Sequence, residues 1–207
     1  MELAKYIDYT NLKPESTTQD IIELCKKAKE KGYRTVCVNA CRVSLAKKQL
    51  EGSNVGIATV VGFPLGATTT SVKVLEAKEA VLNGANEIDM VINIGALIEG
   101  DYDFVEKDIE SVVKESNVPV KVILETCKLT KEQIVIATKL CVKAKAAFVK
   151  TSTGFSSAGA TIEDVKLMKE NCGNLEVKAA GGIRDYDTAI AMINAGATRI
   201  GASKDLV

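Results

Sequence analysis

Along the chain, short runs of β-branched and other apolar residues alternate with longer stretches in which apolar positions recur every three or four residues. The short runs predict strands at Tyr6 to Thr10, Val36 to Asn39, Val55 to Phe63, Glu87 to Asn93, Val118 to Glu125, Ala147 to Ser152, Glu176 to Ala180 and Thr198 to Ser203. The longer stretches predict helices at Thr18 to Lys31, Val43 to Leu50, Thr69 to Asn83, Phe104 to Ser116, Lys131 to Lys143, Ile162 to Asn171 and Tyr186 to Asn194. Strand followed by helix, repeated in this way, is the signature of βα units around a parallel sheet. Asn83-Gly84-Ala85 and Asn194-Ala195-Gly196-Ala197 repeat one joint, a glycine-capped helix end leading into a strand.

Eight strand candidates permit a closed (β/α)8 TIM barrel. The rival is an open doubly wound sheet, which ordinarily advertises its ligand site by a glycine-rich first turn. The chain contains neither GxGxxG nor GxxxxGK[ST], so the barrel is the favoured α/β architecture. Only Pro14, Pro64 and Pro119 occur, and no Pro- or Gly/Ser-rich linker interrupts the series. Residues 1–207 are therefore expected to form one domain.

Composition then removes whole classes of chemistry. Lys and Arg number 27 against 27 Asp and Glu, so nothing in the charge balance suggests a nucleic-acid partner or an anionic membrane surface. Histidine is absent, which excludes Ser-His-Asp and Cys-His nucleophiles, histidine-based zinc sites and any histidine proton relay. The six cysteines, Cys25, Cys37, Cys41, Cys127, Cys141 and Cys172, contain no CxxC and read as reduced thiols. The first residues lack the apolar run of a signal peptide, and no segment approaches 18 uncharged apolar residues. A soluble cytoplasmic protein is expected.

Four charges interrupt strand patterns that otherwise read as buried: Asp89, Lys121, Lys150 and Lys178. Taking a charge out of water costs several kcal/mol unless it is paired. In a barrel, Lys150 and Lys178 stand on adjacent strands, and a neighbouring ammonium together with desolvation favours a neutral amine able to form a Schiff base. The demand is large: a lysine starting near ~10.4 must drop about 3 units, roughly 4 kcal/mol, to be half neutral near pH 7. Asp89 would move protons or hold the charged lysine. The competing reading is structural, with Lys121 and Asp89 as a buried ion pair and Lys150 and Lys178 snorkelling to the barrel mouth. Residue patterns alone leave both readings open.

Other strand ends add a substrate clue. Ala180-Gly181-Gly182, Ile200-Gly201-Ala202-Ser203 and Thr151-Ser152-Thr153-Gly154 combine permissive turns with hydroxyls, where barrels build phosphate sites from backbone N–H groups. Gly62-Phe63-Pro64-Leu65-Gly66 reads as a mouth loop or a simple turn, and Cys37 as a thiol that faces the pocket or is merely buried.

These motifs, in this order, resemble the deoxyribose-phosphate aldolase family. The likeness runs through Ile7-Asp8-Tyr9-Thr10-Asn11-Leu12-Lys13-Pro14, Val36 to Asn39, Gly62 to Gly66, Glu87 to Asn93, Lys121 to Thr126, Phe148 to Phe155, Val177 to Arg184 and Arg199 to Ser203. The resemblance implies a class I aldolase on a (β/α)8 barrel, without metal or cofactor. Its reaction would be reversible cleavage of 2-deoxy-D-ribose 5-phosphate to D-glyceraldehyde 3-phosphate and acetaldehyde. It implies Lys150 as the Schiff-base lysine, Lys178 as the lysine that tunes it, and Asp89 as the proton relay. Asp8, Cys37, Lys121 and Thr151 would line the substrate pocket, and Thr153, Gly154, Gly181, Gly182, Gly201, Ser203 and Lys204 would hold phosphate. Small phosphosugars and aldehydes would be the partners, with a homodimer common in such enzymes. The alternatives are another Schiff-base barrel enzyme acting on a small aldehyde or phosphosugar, or a non-catalytic phosphosugar-binding protein.

Four positions depart from the family pattern. Tyr9 stands where histidine is common, Lys204 where a second serine is usual, and Lys145 and Ala147 where Gly and Asp are usual. Only Lys204 to Val207 follow Ser203, too few for an eighth outer helix, so an apolar patch on the last strand is expected unless something covers it.

Overall fold

Where the apolar runs occur, the chain forms strands, and the amphipathic stretches between them wrap around the outside. The computed structural model describes residues 2–207. Strands β1 (Ile7–Asn11), β2 (Thr35–Val38), β3 (Gly56–Val61), β4 (Glu87–Val91), β5 (Val120–Ile123), β6 (Phe148–Lys150), β7 (Glu176–Ala180) and β8 (Arg199–Ala202) lie parallel in sequence order. β8 pairs back onto β1, with Asp8 beside Gly201, so the sheet is the closed barrel that the sequence favoured over an open one. Helices α1 (Thr18–Lys31), α2 (Val43–Leu50), α3 (Thr70–Asn83), α4 (Ile94–Glu99), α5 (Tyr102–Ser116), α6 (Lys131–Lys143), α7 (Ile162–Asn171) and α8 (Tyr186–Asn194) make the outer ring. None is long and apolar enough to cross a membrane, among the described residues.

Local chemistry sets the element ends. Thr17 with Asp20, and Thr130 with Gln133, form capping boxes that start α1 and α6. The expected strand Glu87 to Asn93 stops at Val91 because Asn93 caps Ala96 and opens α4, a helix too short for periodicity to reveal. The run Val55 to Phe63 stops at Val61 because the Gly62 N–H turns away from the ladder to Glu76 at 2.7 Å. Gly66, at φ +68, packs so closely that a Cβ there would lie 1.8 Å from the Ile92 carbonyl oxygen, which ties the mouth loop to the end of β4. Lys145 occupies the left-handed region at φ 57, a conformation that glycine enters without steric cost.

Period-two alternation sorts each strand between two surroundings. Outward residues such as Ile7, Val36, Ile57, Ile88, Val122, Val149 and Ile200 pack beneath the helices in one apolar core. The inward residues form layers. Lowest are Thr35, Glu87, Phe148 and Arg199; then Asp8, Ala58, Lys121 and Lys178; then Cys37, Asp89, Lys150 and Gly201. Barrels usually fill such layers with branched apolar side chains. Here the interior is charged.

No helix follows β8 among the described residues, but the expected apolar patch does not form. Ile200 and Ala202 are buried, and Leu206 joins the same core. The segment carrying Leu206 is fastened to α1 and its following turn, where Lys27 pairs with Asp205 at 2.9 Å and the Tyr33 hydroxyl donates to the same carboxylate.

Candidate active site

Seven charged side chains meet inside the barrel. Lys150 Nζ donates to Asp89 Oδ2 at 2.7 Å, and Lys178 Nζ donates to the same oxygen at 2.7 Å. Lys178 also donates to Asp8, and Lys121 donates to the other Asp89 oxygen at 2.8 Å. Below them Arg199 bridges Asp8 and Glu87, Lys121 reaches Glu87 at 2.6 Å, and both cations lie over the Phe148 ring. The Lys121–Asp89 ion pair expected from the sequence is therefore present. The snorkelling reading fails, because Lys150 and Lys178 are 3% and 1% exposed and end on carboxylates rather than in solvent.

Counting charges identifies the odd member. Three carboxylates, Asp8, Glu87 and Asp89, face four cations, Lys121, Lys150, Lys178 and Arg199. The interior becomes neutral when one cation loses its proton. Burial pushes both aspartates towards the neutral acid, but their surrounding cations outweigh it and hold both well below the ordinary 3.8. Burial also disfavours charge on Lys178 and Lys121, yet the facing carboxylates win and raise both above the ordinary 10.5. Lys150 alone among the lysines of this network goes the other way. Burial lowers its pKa, Asp89 opposes this, and the Lys178 ammonium adds to the lowering. Desolvation thus contributes more than the neighbouring lysine. Burial and the Asp89 charge push the Cys37 thiol up to about 11, so it is a neutral, buried packing group among Leu12, Ala58, Val60 and Phe63.

Above the lysines lies a cavity of about 580 Å³, with Lys150 at its floor and Thr153, Gly154, Gly181, Gly182, Gly201 and Ser203 in its lining. The N–H groups of Gly154, Gly181, Gly182 and Ser203 find no hydrogen-bond partner among the described residues. Gly154, Gly181 and Gly182 all have positive φ, the backbone geometry that turns successive N–H groups towards an anion. Glycine lets the β6 and β7 loops approach closely: a Cβ on Gly159 would lie 2.1 Å from the Gly181 carbonyl oxygen.

Asp8, Cys37 and Lys121, expected to line the substrate pocket, are fully buried and stand outside the cavity lining, because the lysines and their carboxylates close the barrel beneath it. Two further residues singled out from sequence sit elsewhere. The Thr151 hydroxyl exchanges hydrogen bonds with the Ala180 backbone, fastening β6 to β7 beneath the pocket. Lys204 is exposed and does not belong to the cavity lining. Sequence reasoning passed over Glu87 and Arg199, which open β4 and β8, where a charge beside a polar neighbour reads as a solvated strand end. It also passed over Arg184 and Lys13, which bring positive charge to the cavity wall. Their exposed loop positions gave no pattern to detect.

The DeoC/LacD family aldolase model matches residues 3–203. A deoxyribose-phosphate aldolase of Thermococcus gammatolerans is 58% identical over 209 aligned residues, covering 98% of this chain and 93% of the relative. One from Mycoplasma capricolum is 58% identical over 205, covering 98% and 92%. The solved structure of a tetrameric deoxyribose phosphate aldolase from Aeropyrum pernix superposes with a TM-score of 0.89 at 31% identity, covering 97% of this chain and 86% of that one.

Proposed function

The chain belongs to the DeoC/LacD aldolase family and carries the class I, Schiff-base activity of a deoxyribose-phosphate aldolase, and from that premise we propose how its residues divide the work. Lys150 is the nucleophile, and the observation that carries this assignment is the surplus cation: the only buried lysine of the network with a lowered pKa lies at the floor of the cavity. Its neutral amine adds to C1 of open-chain 2-deoxy-D-ribose 5-phosphate, and loss of water leaves an iminium. That cation accepts the C2–C3 bonding pair as the C3 hydroxyl gives up its proton. D-Glyceraldehyde 3-phosphate departs and leaves an enamine on Lys150.

Asp89 and Lys178 are the proton relay. Asp89 Oδ2 accepts from the Nζ of both Lys150 and Lys178 at 2.7 Å, so one carboxylate oxygen connects the reacting nitrogen with a second proton donor. Protonation at C2 gives the acetaldehyde iminium, and water releases acetaldehyde and regenerates the amine. Asp8, Arg199, Glu87 and Lys121 keep the relay in place from below. The unpartnered N–H groups of Gly154, Gly181, Gly182 and Ser203 bind the phosphate, with Arg184 and Lys13 adding attraction from the wall.

Borohydride trapping with 2-deoxyribose 5-phosphate, followed by intact mass and peptide mapping, tests the assignment. The expected result is one reduced adduct per chain, on the peptide containing Lys150. An adduct on Lys178 or Lys121, or turnover without any adduct, would reject it.

A further inference from the structure

Glu125 is a buried carboxylate that the mechanism above does not use. It is 3% exposed and follows β5 with its backbone in the left-handed region at φ 59, which a non-glycine residue enters only when its surroundings hold it there. The Leu124 N–H bonds the Lys150 carbonyl and the Thr126 N–H bonds the Thr151 carbonyl, so Glu125 sits at a kink between two fixed points on the nucleophile's strand. No lysine or arginine pairs with its carboxylate among the described residues. Its partners are the Thr153 hydroxyl at 2.5 Å, the Thr153 N–H at 3.4 Å and, weakly, the Cys127 thiol at 3.9 Å. The Thr153 hydroxyl in turn accepts the Phe155 N–H at 3.0 Å.

This chain of contacts ends at the phosphate side of the cavity. Thr153 lines the cavity, but its hydroxyl and N–H both turn towards Glu125, and the first free N–H of the turn is that of Gly154. We infer that Glu125 is a positioning residue for phosphate: through Thr153 it fixes the Thr153–Phe155 turn so that the Gly154 N–H faces the substrate's phosphate rather than pairing within the loop. An amide that must relax before binding loses affinity for the phosphate end, while the aldehyde end, held by Lys150, is little affected. The inference rests on the phosphate reading given above.

Steady-state kinetics with 2-deoxyribose 5-phosphate and with 2-deoxyribose separate the two claims. Wild-type enzyme without preference for the phosphorylated sugar would refute the phosphate reading, and this inference with it. With that preference present, Glu125→Ala is expected to raise KM for the phosphorylated sugar about tenfold and lower kcat by no more than about threefold. Glu125→Gln, which keeps an acceptor for the Thr153 hydroxyl, is expected to recover most of that loss. Thr153→Val is expected to reproduce the KM rise, and the double variant to be no worse than either single one, because both break one chain of contacts. Should Glu125→Ala fail to fold, as read by near-ultraviolet circular dichroism, Thr153→Val carries the test. Losses that fall on kcat, that strike both sugars equally, or that add in the double variant would overturn the inference.

Discussion

Two buried lysine sites in this molecule meet their carboxylates on different terms. Outside the barrel, Lys73 of α3 is fully buried and donates to Asp108 of α5 at 2.6 Å and to the Val91 carbonyl at 2.9 Å. Thr70 donates to the other Asp108 oxygen at 2.7 Å. One cation faces one carboxylate, and a backbone carbonyl and a threonine hydroxyl add one contact to each partner. Inside the barrel, four cations share three carboxylates, and Lys150 and Lys178 compete for a single oxygen of Asp89. The first arrangement joins two helices and the end of β4, with one positive and one negative charge in balance. The second is relieved by releasing a proton. Burial and short contacts are common to both sites, so what distinguishes chemistry from scaffolding is the count of charges, not their depth.

The sharpest way to break this comparison is to remove the surplus cation. Lys150→Met leaves three carboxylates facing three cations, so the variant is expected to fold while losing turnover by at least about a thousandfold and all borohydride trapping. A variant that still turned over and trapped substrate would place the nucleophile elsewhere.

The opposite effect is expected at the balanced site. Lys73→Met abandons Asp108 in an apolar setting and is expected to cost about 3–5 kcal/mol of stability, because an uncompensated buried charge remains. Replacing both partners, Lys73→Met with Asp108→Leu, should recover much of that loss in a denaturant titration. At a temperature where the single variant stays folded, its pH–rate profile should superpose on the wild type's. A displaced profile would show that the outer pair also feeds the chemistry.

How far the two sites could be read in the sequence differs for a physical reason. Lys150, Lys178, Asp89 and Lys121 stood out because a strand buried on both faces tolerates no unexplained charge, whereas Glu87 and Arg199 open their strands, where a charge is ordinary. Lys73 and Asp108 lie on amphipathic helices, where charged residues are ordinary and nothing in the pattern says that these two face inward. Eight strands were legible from the alternation of apolar runs with helical stretches, while closure was only favoured, by the absence of a glycine-rich first turn and by the family resemblance. The helix α4 was not legible, because a six-residue helix shows too few turns for periodicity. The exposed apolar patch expected beside β8 was wrong because Leu206 and the Asp205 contacts depend on where the segment folds back, which pattern cannot report. Glu125 escaped notice because its role depends on a left-handed backbone that only glycine would have advertised.

A smaller effect is expected inside the barrel. Lys178→Leu removes a positive charge from beside Lys150 and leaves Asp89 to pair with Lys150 more exclusively. Both changes favour the charged amine, so the Lys150 pKa rises and the neutral fraction at a given pH falls. The acid limb of kcat/KM is expected to move to higher pH, with activity at pH 7 lowered about 10- to 100-fold for a shift of one to two units, before any loss of the relay itself. An unmoved limb would leave Lys178 a proton donor only, with burial alone tuning Lys150.

The smallest expected effect tests whether the outer pair is as complete as its contacts indicate. Thr70 is part-buried, and its hydroxyl gives Asp108 a second donor. Thr70→Val keeps the shape and removes that hydrogen bond to a charged group, which is expected to cost about 1.5 kcal/mol in a denaturant titration. The loss should add nothing when Asp108 is already leucine, because the acceptor is gone. If Thr70→Val cost the same in both backgrounds, the hydroxyl would serve α3 in some way unrelated to Asp108. The outer site would then be a bare ion pair, and charge count alone would have to explain its stability. If the cost vanishes with the acceptor, Thr70 belongs to the outer site and each Asp108 oxygen holds its own donor. Inside the barrel, by contrast, Lys150 shares a single Asp89 oxygen with Lys178.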